Sequence, residues 1–488
     1  MPDQNRTYPP RRRKPRRRVN PNFVVAILAL ILIVLVVLAI VLTLNPPGKN
    51  DSPAATTVPN VPSSAPSVPE ASDPTTQPSE PSVDPSTEPS TEPSKPTEPS
   101  GPKVVGSASI VNTGDILMHM PCVNPCEIGG GKYDFSPYFT HLTPFVSAFD
   151  YAVVNFETTT ASLRNGYKYS GVPNLNTPDE IVTALRDSGF DMLLTANNHT
   201  FDTQTQGFFR TQEVIRNHGL DYTGTISNAA DHNFLVKEIN GIRIGMICYT
   251  YETNADPDKV ALNVGPTLSK DIEALINTFY KTDVDTYRKN LEADLVAMRA
   301  AGAEAIVLYM HWGEEYKLEH DSNQKTMAQV ACDLGVDVIV GGHPHVVQPM
   351  ELLSNTNNPE QKTICLYSTG NTLSNQRQGN LPSYIKTAHT EDGVLFSFDF
   401  VKYDDGTVRV ENVDLVPLWV NMYTSSATGK VVYDILPLDP AVEDWKSALN
   451  LTNSSLEKAQ DSYDRTMEIV GEGLEEIKSY LASLPPVA

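Results

Sequence analysis

Short apolar runs alternate with helical segments between residues 104 and 423, and this alternation constrains the fold more than any other feature. Runs rich in β-branched residues predict strands, and amphipathic segments between them predict helices. Such alternation is typical of an α/β domain. The predicted strands are 108–112, 151–156, 191–196, 242–251, 304–310, 336–341, 363–368 and 394–401, and the predicted helices are 177–189, 204–218, 286–301 and 323–335.

The clearest helix signal begins at Thr177. Thr177 and Glu180 have the spacing of a capping box, Pro178 occupies the first helical position, and Gly189 follows the end of the helix. The sequence therefore predicts that the Thr177 side chain caps this helix.

Composition narrows the classes of partner and scaffold. The formal net charge is -22, and residues 1–22 carry seven arginines and one lysine against Asp3, so the remainder is more acidic still. This balance argues against nucleic acid as the main partner. Five cysteines in 488 residues exclude a disulfide-built scaffold. Cys122 and Cys126 could form a local bridge or remain two thiols.

The N-terminal region predicts a membrane anchor. The basic tail 1–22 precedes an uncharged run over residues 23–44. A helix needs about 20 apolar residues to cross a bilayer, whereas the core of a cleaved signal is roughly 7–15 residues long. Because positive charge stays in the cytoplasm, we expect a single-pass protein of the cell membrane with a cytoplasmic N-terminus and an extracytoplasmic main domain.

A spacer and a tail flank the predicted main domain, which covers residues 104–425. Residues 45–103 contain 16 of the 38 prolines among Ser, Thr and Glu, which predicts a disordered linker. The range 426–488 is predicted to be a C-terminal helical segment. Its helix over 438–483 is expected to pack on the domain, and a partner-binding helix is the alternative.

The predicted strands end in side chains that bind metals or transfer protons. Ligands of open α/β sheets lie beyond the carboxyl ends of the strands. Taken singly, each residue has an ordinary role such as a turn, a helix cap or a core histidine, but together they would require one coincidence at each strand end. We therefore interpret them as one site. They are Asp115, His119, Asn155, Glu157, Asn197, Asn198, His199, Asp202, His311, His343, His345 and Asn371.

Two of these histidines follow the strand that ends in Gly341 and Gly342. Pro344 favours an extended conformation for His343, and residues two apart in extended chain point the same way. Both His343 and His345 would then face one metal ion, since imidazole is the commonest metal ligand. Two surface histidines in a loop are the alternative.

The set of side chains indicates a chemistry. Carboxylates, an amide oxygen and imidazoles suit Mn, Fe or Zn, and the donors suffice for two divalent ions. Paired ions can bind the attacking and the leaving oxygen in phosphoester hydrolysis. His199 would protonate the leaving oxygen, with Asp202 orienting it. The predicted ligands are Asp115, Glu157, Asn198, His311, His343 and His345.

Five segments resemble, in order, those of the capsule-synthesis CapA family. The resemblance covers roughly residues 105–423. The segments are Gly114-Asp115-Ile116-Leu117-Met118-His119, Asn155-Phe156-Glu157, Ala196-Asn197-Asn198-His199 with Asp202, His311-Trp312-Gly313 and Gly342-His343-Pro344-His345.

This resemblance implies a layered β-sandwich flanked by helices, similar to the calcineurin-like metallophosphoesterases. It also implies an association with poly-γ-glutamate capsule and with membrane-bound PgsA-type proteins, the same six metal ligands, and His199 as the catalytic histidine. Glu157 would stand where metallophosphoesterases usually place a bridging aspartate. His119, Asn155, Asn197 and Asn371 are candidates for contacts with substrate or with the ligands.

Two functions remain open. The first is an extracytoplasmic two-metal hydrolase or transferase acting in polymer synthesis or export. The second is a non-catalytic subunit of a capsule synthase complex that binds the polymer, and a general cell-wall phosphodiesterase is a weaker third. The expected partners are the membrane, an anionic polymer such as poly-γ-glutamate or a cell-wall polymer, and membrane-bound synthase subunits.

Overall fold

The computed structural model describes residues 101–163, 166–253 and 259–484. The predicted basic tail, membrane-spanning segment and nearly all of the linker lie outside these ranges and remain predictions. Within the described ranges, no helix combines the length and the apolar character that crossing a bilayer requires. The fold belongs to the structural unit that runs from Pro93 to Ala488.

Strands and helices follow one another much as the sequence predicts, with boundaries shifted by a few residues and with additional short strands. The strands are β1 (Val104–Ile116), β2 (Glu127–Gly129), β3 (Lys132–Tyr133), β4 (Tyr151–Asn155), β5 (Met192–Leu194), β6 (Asp221–Thr223), β7 (Leu235–Ile239), β8 (Ile242–Tyr251), β9 (Thr278–Phe279), β10 (Ala305–His311), β11 (Val338–Gly342), β12 (Met350–Ser354), β13 (Lys362–Leu366), β14 (Asn371–Leu373), β15 (Asp392–Tyr403), β16 (Val408–Thr424) and β17 (Val431–Pro437). The α-helices are α1 (Met120–Val123), α2 (Thr143–Val146), α3 (Glu180–Asp187), α4 (Gln204–Asn217), α5 (Lys270–Glu273), α6 (Val284–Ala300), α7 (Ser322–Asp333), α8 (Trp445–Ala448) and α9 (Asn453–Ser483).

These strands form two large mixed sheets and the β2–β3 hairpin. The first sheet has the order β17-β16-β15-β1-β4-β5-β6, with β14 beside β1. Its strands β1, β4, β5 and β6 are parallel, whereas β15, β16 and β17 are antiparallel. The second sheet has the order β12-β13-β11-β10-β8-β7, with β9 beside β8, and is parallel from β8 to β13. The parallel strands of each sheet therefore end at a common edge.

Alternation of side chains along the strands produces the layers. Ala108 and Ile110 of β1 lie in one core with Ile244 of β8 and Val307 of β10, which places the two sheets face to face. The intervening residues point to the outer faces. Val111 packs in the core that contains α3 and α4, and Leu308 packs in the core that contains α6 and α7. The described residues thus form a mixed α/β fold in which helices cover two facing sheets.

Helix α9 packs on this domain, as the sequence predicts. Val470, Leu474 and Ile477 enter the core between the sheets, and Ala459 lies in a smaller core with Trp419 of β16. Apolar residues along one face therefore hold the helix in place.

The predicted capping box is wrong. Helix α3 begins after Asp179, whose carboxylate accepts hydrogen bonds from Arg210 instead of capping the helix. The Thr177 hydroxyl is buried and has no hydrogen-bond partner among the described residues. Arg210 is 31 positions away from Asp179. The local sequence pattern therefore gave no indication that Arg210 would bind the Asp179 carboxylate.

The predicted C-terminal helical segment is also too long. The range 426–488 contains β17, which pairs with β16 from Thr424 to Leu418. The seven-residue run of β17 is interrupted by Asp434 and ends in a proline, so periodicity alone did not separate this strand from a helical segment. Cys122 and Cys126 are buried free thiols, with Cys126 Sγ 3.5 Å from the Cys122 carbonyl oxygen, so the alternative of two thiols is observed.

Candidate metal centre

Asp115 connects the first sheet to a loop of the second. It lies near the end of β1 and has no exposed surface. Its Oδ1 accepts a hydrogen bond from Asn155 Nδ2 at 2.7 Å, and its Oδ2 lies 3.0 Å from His345 Nδ1. Because β1 and β11 belong to facing sheets, this contact joins side chains that are 230 positions apart in the sequence.

Glu157 occupies the centre of the site. It follows β4, has no exposed surface, and neither of its carboxylate oxygens has a hydrogen-bond partner among the described residues. Its Oε1 lies 3.6 Å from His311 Nε2, 3.7 Å from His345 Nε2 and 4.0 Å from His199 Nε2. Burying an unpartnered carboxylate is unfavourable, and buried charges are normally paired or bound to metals.

Two groups of potential ligands share Glu157. One consists of Glu157, His311 and His343, and we name it the imidazole-rich triad. The other consists of Asp115, Glu157 and His345, and we name it the carboxylate-rich triad. Within each, one ligand atom per residue lies within 4.8 Å of the others. Two triads that share one carboxylate could hold a pair of neighbouring ions.

Asn198 adjoins the imidazole-rich triad. Its Oδ1 accepts a hydrogen bond from His311 Nε2 at 2.7 Å, and the residue is buried. The structure therefore brings together all six side chains that the sequence analysis selected as ligands.

The protonation tendencies of the groups fit metal binding. Burial, reinforced by the charge of Asp115, raises the pKa of Glu157 well above its usual value. Burial and the neighbouring imidazoles lower the pKa of His311 and His343 well below that of free histidine. The two histidines are therefore neutral, which is the form that binds metals, and a cation would relieve the buried Glu157 charge.

The pKa of His345 shifts in the opposite direction to those of His311 and His343. Burial lowers its pKa, but the hydrogen bond and charge of Asp115 outweigh burial, so that the net shift is upward. A divalent ion at the carboxylate-rich triad would compete with this proton, since metal binding releases protons from its ligands.

The backbone brings His343 and His345 to the site by a different route from the one predicted. Their φ angles are +95° and +56°, so His343 is not extended and the prediction of an extended His-Pro-His segment is wrong. The two rings nevertheless converge, with centroids 5.9 Å apart. Left-handed residues other than glycine cost on the order of 1–3 kcal/mol each and persist where the surroundings hold them.

Gly342 makes room for this turn. A Cβ atom at this position would lie 3.1 Å from Asp115 Oδ1. A larger residue would therefore crowd the carboxylate-rich triad.

His199 and Asp202 form a buried pair beside the two triads. Asp202 Oδ2 lies 2.6 Å from His199 Nδ1, and its Oδ1 accepts a hydrogen bond from Asn263 Nδ2 at 3.0 Å. The backbone N–H of Leu175 also donates to Asp202 Oδ2 at 2.6 Å. These contacts orient the imidazole so that Nε2 faces Glu157.

The remaining predicted residues support the ligands. Asn197 donates to Asn155 Oδ1 at 3.2 Å, and Asn155 in turn donates to Asp115. Asn371 donates to the His345 carbonyl oxygen at 3.2 Å. His119 is buried, and burial together with the charge of His345 lowers its pKa to about 4, so it is neutral near the site.

Sequence reasoning missed three residues. Tyr251 ends β8, and its ring centroid lies 4.6 Å from that of His343; its place at a strand end was a usable signal. Glu315 is exposed, and its charge contributes to the raised pKa of Glu157. Asn263 lies in a loop with no recognisable pattern, and only the tertiary structure reveals its contact with Asp202.

Two curated relatives are similar over much of the chain. The capsule biosynthesis protein CapA of Bacillus anthracis is 28% identical over 290 residues, covering 59% of this chain and 62% of that protein. The PGA biosynthesis protein CapA of Bacillus subtilis (strain 168) is 26% identical over 311 residues, covering 63% of this chain and 71% of that protein. The chain thus spans about three-fifths of the length of the B. anthracis relative.

Solved structures show weaker likenesses. Sulfate thiohydrolase SoxB from Thermus thermophilus, in complex with glycerol, aligns with a TM-score of 0.35 and 14% identity, covering 74% of this chain and 60% of that one. Purple acid phosphatase PPD1 from yellow lupin seeds aligns with a TM-score of 0.27 and 12% identity, covering 68% and 53%. Structural similarity at this level gives no information about the activity of this chain.

The family comparison is decisive. The model of the bacterial capsule synthesis protein PGA_cap matches residues 109–376, which is more than half of the 488 residues and includes every predicted metal ligand. This chain belongs to the bacterial capsule synthesis protein family PGA_cap.

Proposed function

We propose that this protein is a membrane-anchored, extracytoplasmic hydrolase or transferase that uses two divalent metal ions in the synthesis or export of an anionic capsule polymer. The observation that carries the proposal is the buried Glu157 carboxylate, which lacks hydrogen-bond partners and belongs to both triads. A structural carboxylate in such a position would be expected to have partners. Two bound cations would supply the partners that the Glu157 carboxylate lacks.

One set of residues would bind the metal ions, and another would transfer protons. The imidazole-rich triad with Asn198 would hold one ion, and the carboxylate-rich triad would hold the other. When bound, the ions supply Lewis acidity for a phosphoryl group and for the attacking water. The metal is Mn, Fe or Zn, because imidazole and carboxylate donors suit these ions.

His199 supplies the proton for the leaving oxygen. Its Nδ1 is bonded to Asp202, so a proton transferred to substrate leaves from Nε2, the nitrogen that faces the triads. Asp202 stabilises the charged imidazole, and Asn263 holds Asp202 in place. Burial of the pair excludes bulk water from competing for this proton.

The family and the N-terminal sequence support the proposed polymer and location. Relatives named as capsule and PGA biosynthesis proteins support an anionic polymer such as poly-γ-glutamate as the partner. Because poly-γ-glutamate is joined by amide bonds, the phosphoester that this mechanism requires would belong to a cell-wall polymer. The basic tail and the uncharged run over residues 23–44 support a single-pass anchor that keeps the domain outside, next to membrane-bound synthase subunits.

Metal analysis of the full-length chain, purified in detergent, tests the proposal. We expect about two ions per chain, as the shared carboxylate of a dinuclear site requires. The double variant His343→Ala/His345→Ala should lose them. His218→Ala is the matched control, because His218 lies at the end of α4, where it forms a hydrogen bond with Thr183 of α3 and belongs to neither triad.

Activity then distinguishes the reaction classes. The metal-loaded chain should hydrolyse phosphodiesters, and hydrolysis of glutamyl amides without phosphoesters would contradict the phosphoryl mechanism. Absence of metal under several loading conditions would overturn the enzymatic proposal and favour the non-catalytic, polymer-binding subunit.

A further inference from the structure

Helix α9 holds the buried carboxylate of Asp392, the first residue of β15. Arg465 donates from Nε to Asp392 Oδ2 at 2.5 Å and from Nη2 to Asp392 Oδ1 at 2.6 Å. Ser462, nearly one turn earlier, donates to Asp392 Oδ1 at 2.6 Å. Asp392 is 1% exposed and the Arg465 side chain is 19% exposed, so the carboxylate end of this two-pronged ion pair is buried. Such paired geometry fixes orientation as well as distance.

Asp392 begins β15 and lies against the segment that follows β13. A Cβ atom on Gly370 would lie 2.5 Å from the Asp392 carbonyl oxygen, and one on Gly393 would lie 2.2 Å from the Asn371 carbonyl oxygen. Gly370 and Gly393 also form a β-bridge. The two backbones therefore touch without intervening side chains, and displacement of one must displace the other.

The segment at Gly370 and Asn371 in turn holds two predicted ligands. The Gly370 carbonyl oxygen accepts a hydrogen bond from the Asp115 N–H at 3.0 Å. Asn371 Nδ2 donates to the His345 carbonyl oxygen at 3.2 Å and to the Thr390 carbonyl oxygen at 3.0 Å. Asp115 and His345 both belong to the carboxylate-rich triad and not to the other one.

The apolar docking of α9 does not depend on this ion pair. Val470, Leu474 and Ile477 anchor the helix in the main core, one or more turns beyond Arg465. Asp392 and Arg465 also lie outside the residues 109–376 that match the family. Their contact therefore lies outside the range that the family match covers.

We propose that the Arg465–Asp392 ion pair is a positioning device through which α9 sets the geometry of the carboxylate-rich triad. The inference rests on the proposed two-metal function and adds a control element to it. Residues that orient metal ligands typically change metal affinity by about 10–100-fold when they are removed. The effect is expected at one ion and not at the other.

The test is a calorimetric Mn²⁺ titration of the full-length chain, with Co²⁺ visible absorption as a second readout of ligand geometry. In Arg465→Ala we expect one affinity to fall by about 10–100-fold and the other to stay within about twofold, with a changed Co²⁺ spectrum. Arg465→Lys keeps the charge but loses the planar fork, so it should restore part of the affinity. Asp392→Asn should reproduce the selective loss and replaces Arg465→Ala if that variant does not fold.

Lys478→Ala is the matched control on the same helix. Lys478 pairs with Asp414 at 2.8 Å on the exposed side, and its removal should leave both affinities unchanged. The positioning role alone would be overturned if Arg465→Ala and Asp392→Asn left both affinities unaltered. It would also be overturned if both ions lost affinity equally and the melting temperature fell. A wild-type chain that takes up neither ion would overturn the proposed function and this inference with it.

Discussion

The two triads differ in composition although they share Glu157. The imidazole-rich triad adds His311 and His343, whereas the carboxylate-rich triad adds Asp115 and His345. Imidazole favours Zn and Fe, and carboxylate oxygens favour harder ions such as Mn. If the two proposed ions bind, we expect the two positions to have unequal affinities and unequal metal preferences, which single substitutions can separate.

The triads also differ in how the chain supports them. Each triad combines a residue at a strand end, His311 or Asp115, with a residue of the left-handed turn, His343 or His345. The difference is that His345 is held by Asp115 and Asn371, whereas His343 Nδ1 has no hydrogen-bond partner among the described residues. A ligand held by side chains from distant elements changes position when those elements move. The carboxylate-rich position is therefore the one that α9 is able to influence.

The largest effect is expected from Glu157→Gln, which breaks both triads at once. The amide keeps the shape but loses the charge that both ions require, so both should be lost and turnover should fall by at least about 100-fold. Metal content by mass spectrometry and phosphodiesterase rates check this. Retention of one ion would show that Glu157 is not shared.

Single-triad substitutions should remove one ion each. His343→Ala is expected to lose the ion of the imidazole-rich triad, and Asp115→Ala the ion of the carboxylate-rich triad, because each removes a ligand from one triad only. Competition between Zn²⁺ and Mn²⁺ in the two variants would sharpen the comparison. If both variants retain the same metal preference, the two positions do not differ as their donors indicate.

His199→Gln should leave both ions in place and slow the reaction. His199 is not a member of either triad, and loss of a general acid typically costs about 100-fold or more in rate. Metal content measured beside turnover separates this role from metal binding. Loss of metal in this variant would make His199 a ligand instead.

The smallest expected effect is on the stability of the metal-free chain. Because the folded-state pKa of Glu157 is raised, the folded protein binds a proton that the unfolded chain releases above about pH 4.5, so this group destabilises the fold as pH rises. Glu157→Gln should thus gain stability over wild type with rising pH, by roughly 1.4 kcal/mol for each unit of raised pKa.

Urea unfolding with a chelator at pH 4.5 and pH 8 measures this difference. The comparison with wild type cancels the opposite contribution of His311 and His343, whose lowered pKa values cost stability as pH falls below about 6.5. If the gain in unfolding free energy of Glu157→Gln over wild type shrinks as pH rises, Glu157 does not bury an unpartnered charge.

Local pattern predicted much of the fold and most of the site. The predicted strand 304–310 is β10 within one residue, because an uninterrupted apolar run needs no distant information to be recognised. The ligand residues were selected in the same way, from polar side chains after such runs. The Thr177 capping box was predicted wrongly, because the helix begins after Asp179 and the Thr177 hydroxyl is buried without a hydrogen-bond partner among the described residues. The length of the helical tail was predicted wrongly, because β17 is a seven-residue run interrupted by Asp434, whose periodicity does not separate a strand from a helix.

By itself, the sequence determined the alternation of strands and helices, the identity of the donors and their order along the chain. These follow from side-chain chemistry and from periodicities of two and 3.6 residues, which are local properties. Only the tertiary structure decided that Glu157 is shared between two triads, that His343 and His345 reach it by left-handed turns, and that Arg465 pairs with Asp392. These features depend on two sheets meeting face to face, and contacts between residues hundreds of positions apart leave no local pattern.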